Sequence, residues 1–287
     1  MDVWIILSPI LKAIFYAASF GSVGSFLFSL HFAKHLTAEQ QAYCDSLCYR
    51  STLAGAVMSL LMVLSVAGNL GGDIASIVNP LLLQLAFESK SGVGYLTAFM
   101  GFTGMLVAHR LRGHANKLGL LVSSGVILLS FTMSGHSQLG GVLTQALLFI
   151  HLFGIAFWLG ALLPFRWMCL QSDPHNLSIV AHQFGVLAMG YVGLLISVGL
   201  CYAYLLLGNI SLIFTTLYGN VLLIKIALVV ALLSFGAFNK FKLVPTLEIK
   251  CTHAVGQFRR SVQFEIALAI IIFTTSSLLT TSLTLPL

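Results

Sequence analysis

Four ionisable side chains interrupt long apolar runs: Lys12, His151, Lys225 and Glu265. Such groups are costly in an apolar span and default to functional candidates. At ~1.5 Å per residue of helix, Lys12, His151 and Lys225 fall roughly 10–14 Å in from the same end of their runs. Glu265 enters from the opposite end, about one turn deep. That depth separates it from Lys225 and makes Lys240 or Arg260 its expected ion-pair partner. Lys12 and Lys225 argue against an unshielded cation path at their level, because like charges repel strongly in low dielectric. They either snorkel outward, lose their charge or hold an anionic group.

A second constellation is Met133-Ser134-Gly135-His136, followed after a short loop by His151. Met133 and His136 are three apart and share a helical face. The short loop makes the two helices antiparallel neighbours. Imidazole suits copper and thioether sulfur favours Cu(I), so Met133, His136 and His151 form a candidate copper site. The alternative is a pair of buried, hydrogen-bonded histidines. Met58 and Met62 are four apart, Met100 and Met105 lie in the next run, and Cys44 and Cys48 share a face if their segment is helical. These sulfurs are a candidate relay for a soft ion, although methionine also fills gaps in ordinary packing. His31, His109 and His182 cluster at the other ends of their runs, which keeps a b-type haem protein as an alternative.

The elements that position these residues must be membrane helices. Of the 287 residues, 58% are hydrophobic and 8% are charged. A soluble domain carries about 25% charged residues. Eight apolar runs, roughly 3–31, 51–72, 92–109, 118–136, 143–165, 184–207, 218–239 and 262–285, each approach the length that crosses a bilayer. Only helices satisfy the backbone there without the alternating pattern of a barrel. The first run lacks a basic leader and is too long for a signal peptide, so it reads as an uncleaved helix. The fold class is an all-α integral membrane protein: about eight transmembrane helices in a single polytopic domain, 1–287. The loops after the first, third, fifth and seventh runs carry Lys34, Arg50, Arg110, Arg112, Lys117, Arg166, Lys240, Lys242, Lys250, Arg259 and Arg260. The loops after the even runs carry only Lys90. The basic loops are therefore expected inside and both termini outside, in the periplasm.

Net charge is +6, but the basic residues flank apolar spans, so lipid and not nucleic acid is the expected partner. Asn79-Pro80 before Leu81 reads as a capped, Pro-started short helix between the second and third runs. The pairs Gly21/Gly24, Gly101/Gly104 and Gly190/Gly193 read as sites of close helix contact. No phosphate loop, dinucleotide fingerprint, His-Glu-x-x-His or paired carboxylates are present, so no enzyme chemistry is expected.

The fifth run reads His151-Leu-Phe-Gly-Ile-Ala-Phe-Trp158-Leu-Gly160-Ala-Leu-Leu-Pro164. It resembles the copper-resistance protein D family of bacterial inner-membrane proteins. Gly219-Asn220, Lys225, Asn239-Lys240 and Pro245 follow that family's pattern, and Arg260 and Glu265 follow its last helix. Gly135-His136 matches its YebZ-like members. The resemblance is specific over about 130–287. The chain departs from those members at Phe15, Tyr16, Leu147 and Leu148, in regions where they carry further histidines. The resemblance implies multi-pass residence in the inner membrane, copper homeostasis or resistance, and copper movement toward the cytoplasm. It also implies partnership with a periplasmic CopC-like copper-binding protein. A membrane subunit that only docks such a protein is the remaining alternative.

Overall fold

In a computed structural model, residues 3–134, 141–171, 173–207, 216–247 and 252–281 are described. Among them every regular element is helical. In chain order they are α1 (Trp4–Phe32), α2 (Ala38–Gly71), a short 3-10 turn (Ala75–Val78), α3 (Pro80–Glu88), α4 (Lys90–Ala108) and α5 (Gly113–Ser130). There follow α6 (Gly141–Met168), α7 (Pro174–Leu207), α8 (Leu217–Phe238) and α9 (Thr252–Thr281). A π-helical turn, Asn239–Leu243, and a last α-turn, Val244–Leu247, extend α8.

Seven of these helices are long and apolar enough to cross a membrane. The segment expected as the fourth span is α5, an 18-residue helix whose first turn carries His114, Asn116 and Lys117. It nevertheless runs antiparallel along α4. Gly101 meets Ile127, Gly104 meets Ser123 and Gly119 meets Ala108.

Three helices begin well before their expected spans: α2, α7, which starts at Pro174, and α9. α2 starts at Ala38 because Thr37 and Gln40 form a reciprocal capping box: the Thr37 hydroxyl accepts from the Gln40 N–H, and Gln40 Oε1 accepts from the Thr37 N–H. Two otherwise orphaned amides are satisfied there, and Cys44 and Cys48 become helical. α9 starts at Thr252, so Arg259 and Arg260 are helical and not loop residues. Glu265 is then thirteen residues from the helix start, about 20 Å along the axis, not one turn deep. The short helix after Asn79 forms as read. Asn79 Oδ1 accepts from the N–H groups of Leu81 and Leu82.

Helix α1 is the hub of the bundle. Of its most apolar stretch, 72% is buried, against 6% for that of α8. It packs on α2, α6 and α9, so the two halves of the chain share one core. Phe15, Tyr16, Phe20 and Phe131 form a connected aromatic cluster at its N-terminal half, which Phe273 of α9 completes. Near its middle, Gly24 faces Gly160 of α6. A Cβ on Gly24 would lie 2.5 Å from Gly160 Cα and would also run into the Ala156 carbonyl. The two backbones therefore touch, as small residues allow in membranes. Gly190 and Gly193, expected at a contact, face open space instead.

Overpacking a tight contact costs about 1–3 kcal/mol. Gly160→Val is therefore expected to lower the thermal unfolding midpoint in detergent, while Gly190→Ala leaves it unchanged or raises it.

Candidate functional site

The most buried charged side chain described is Glu265, 2% exposed. Three helices converge on it. Trp158 Nε1 of α6 donates to Glu265 Oε2 over 3.2 Å. Asn239 Nδ2, from the start of the π-turn, donates to Glu265 Oε1. Gly236 makes room for the indole; a Cβ there would lie 2.6 Å from the Trp158 ring. The π-turn has a local cause. Pro245 offers no N–H to the carbonyl of Phe241 and its ring crowds that carbonyl, and the wider register just before it accommodates the defect. π-turns inside α-helices recur at functional sites.

This geometry replaces the ion pair expected from sequence. Lys240 extends along Gly185 of α7, and Arg260 is exposed on α9. Both hydrogen-bond partners of the carboxyl are neutral. Two neighbouring polar atoms are buried without a partner: Asn239 Oδ1 and Ser261 Oγ, the latter one turn before Glu265 on α9.

Lys12 lies at the other end of α9. Its Nζ donates to the Thr280 carbonyl over 3.3 Å, and the Tyr16 hydroxyl sits 3.2 Å from Thr280 Oγ1. A cation at the C-terminal carbonyls of a helix meets the negative end of the helix dipole. This gives Lys12 a place without an acidic partner. Lys225 is half-buried in the third turn of α8.

Of the expected copper ligands, His136 lies outside the described residues. Met133 follows the end of α5 and packs at Gly94 of α4. His151 turns toward α7, where Nδ1 is 3.3 Å from the Leu195 carbonyl and the ring lies against Gly199. Met133 and His151 thus face different neighbours. Among the described residues no three His, Cys, Asp or Glu side chains gather in one place.

The sulfurs form a more continuous feature. Cys44, Cys48, Met58 and Met62 are all buried on one side of α2. From Cys44 to Met62 the stripe runs ~27 Å, close to the hydrocarbon thickness of a bilayer. Cys48 donates to the Ser22 carbonyl of α1 over 3.4 Å. The Thr52 hydroxyl lies 2.7 Å from the Cys48 carbonyl and 3.1 Å from Met105 Sδ on α4. Met105 is therefore part of the same sulfur face, whereas Met100 is 61% exposed and points out of the bundle. Cys169, just past the end of α6, is also buried. Burial pushes its thiol up to about 12, against a smaller opposing pull from Arg259.

The haem alternative needs free imidazoles on facing helices. Both ring nitrogens of His31 are engaged, by the Leu27 carbonyl at 2.8 Å and the Tyr191 hydroxyl at 3.1 Å. His109 caps α4 beside Tyr49 with Nε2 buried and unpartnered, and His182 is exposed on α7.

Fold and site together define a multi-pass, all-α membrane protein built around a buried polar cluster and a face of soft ligands. A family model described as copper resistance protein D-like, N-terminal domain, matches residues 1–146. A second, described as copper resistance protein D, matches residues 179–279. The chain belongs to the copper resistance protein D family. No curated protein and no solved structure gave a match. The first match covers the region before residue 130, where the motifs read from sequence were sparse. The segment between the two matches holds His151, Trp158 and Gly160.

Leaving a buried acceptor without its donor costs about 1–3 kcal/mol. Asn239→Ala, which strips Glu265 of a donor, should lower the unfolding midpoint in detergent more than Ser261→Ala, whose hydroxyl bonds nothing.

Proposed function

We propose that this protein moves copper across the bacterial inner membrane toward the cytoplasm, as one polytopic unit with α5 as an eighth crossing. The observation that carries this reading is family membership, given by matches in both halves of the chain. The sulfur face of α2 supports it, because thiolate and thioether ligands select Cu(I). In this reading the basic loops face the cytoplasm and both termini face the periplasm. Copper is received at the outer end by Met133, His136 and His151, from a periplasmic CopC-like protein. It then passes Met62, Met58 and Met105 and reaches Cys48 and Cys44 near the inner end. The tether of Lys12 to Thr280 keeps one ammonium group at a helix end, which lessens its repulsion of a passing cation.

The test is uptake of Cu(I) into proteoliposomes containing this chain alone. Wild-type protein should fill the vesicles. His136→Ala, His151→Ala and the double variant Cys48→Ala/Met62→Leu should each slow filling several-fold. Unchanged rates in the histidine variants would remove them from the path. Absence of uptake by the wild type, with retained binding of a copper-loaded periplasmic protein, would leave a docking subunit.

A further inference from the structure

The transport reading leaves Glu265 unused. We propose that Glu265 is a reversible proton-binding site inside the bundle, with Asn239 as the group that serves both of its protonation states. The geometry points to this in three ways. The carboxyl is buried, and its two hydrogen-bond partners, Trp158 Nε1 and Asn239 Nδ2, are neutral donors. An ionised carboxylate in such surroundings is costly unless it is paired with a cation. Finally, Asn239 Oδ1 has no partner, although it belongs to the side chain that already touches the carboxyl.

Among the described residues no charged side chain contacts the Glu265 carboxyl. On α8, Lys225 lies about 21 Å along the helix before Asn239. On α1, His31 is engaged by the Leu27 carbonyl and the Tyr191 hydroxyl. From α1, Lys12 and Tyr16 lie at Thr280, fifteen residues further along α9. From α6, His151 and Arg166 flank Trp158 at a distance of about two helical turns, and His151 faces α7. From the π-turn, Lys240 runs along Gly185 of α7, and Lys242 is exposed. On α9 itself, Arg259 and Arg260 are exposed a turn or more away.

The two states balance simply. In the arrangement found, both carboxyl oxygens accept, from Trp158 and from Asn239, which suits the ionised form. On taking a proton from water, the carboxyl O–H needs an acceptor, and rotation of the Asn239 amide presents Oδ1. The reverse rotation accompanies return of the proton to water. Ser261 Oγ, buried and unpartnered, is the kind of atom that an ordered water serves on that route. Coupling this exchange to copper movement rests on the transport reading; the proton site itself does not.

Two measurements on purified protein decide the site without copper. Infrared difference spectra should show a protonated-carboxyl band that grows on acidification, reverses on return to alkaline buffer, and is missing in Glu265→Gln. If that variant does not fold, the wild type still answers. Dicyclohexylcarbodiimide, which modifies protonated carboxyls in apolar surroundings, should label Glu265 in acid and not in alkali, as mapped by mass spectrometry. A band and labelling that never appear, or that do not respond to pH, would overturn the proposal. So would labelling abolished by sodium at constant pH, which would make this an alkali-cation site. In proteoliposomes, an acid-outside gradient should then speed wild-type copper uptake several-fold and leave Glu265→Gln unaffected. A wild type that carries copper but ignores the gradient would overturn the coupling. A wild type that carries none would overturn the transport reading, while the band and the labelling still decide the proton site.

Discussion

Helix α1 can occupy the centre of this bundle only because Gly24 and Gly160 let its backbone touch that of α6. Without hydrophobic exclusion to drive helices together in lipid, close van der Waals packing must do so. From that contact the rest follows. α2 is held against one side of α1, with Cys48 bonded to the Ser22 carbonyl. α6 is held with Trp158 directed to α9, and the aromatic cluster from Phe15 to Phe273 fills the end of the bundle around the N-terminal half of α1.

The core so formed carries two kinds of chemistry in two places. Soft sulfur lines α2 and reaches Met105 on α4. Hard, neutral polar groups gather at Glu265, where α6, α9 and the π-turn after α8 meet. A soft cation and a proton prefer these two environments respectively. In the proposed reading, separation by helix would keep the carboxyl from competing for the metal and the thiols from competing for the proton.

Much of the fold was legible in the sequence. Apolar run length and the scarcity of charge gave the membrane class and most helix centres, and Asn79-Pro80 announced α3. Boundaries failed where polar residues continued a helix past its apolar run: Ala38 to Arg50, Pro174 to Gln183 and Thr252 to Ser261 read as loops because they carry polar or charged residues. α5 starts five residues before its expected span, through the polar turn His114 to Lys117, and ends at Ser130, short of the expected end. Glu265, Trp158 and Asn239 stood out individually as motif residues. Their union was hidden, because it depends on three helices and on a π-register that no periodicity reveals. Depth counted from a misplaced helix start gave Glu265 the wrong partner. The face shared by Cys44 and Cys48 was readable conditionally, and the capping box at Thr37 supplies the condition. Met105 could not be told from Met100 without the rotation of α4, which buries one and exposes the other.

We propose that copper is held in this bundle by sulfur along α2. Copper K-edge X-ray absorption of Cu(I)-loaded protein in detergent tests it most directly. Sulfur is expected in the first coordination shell, diminished when Cys44, Cys48 and Met62 are replaced together by Ala, Ala and Leu. A shell of nitrogen and oxygen alone, unchanged by those replacements, would contradict it.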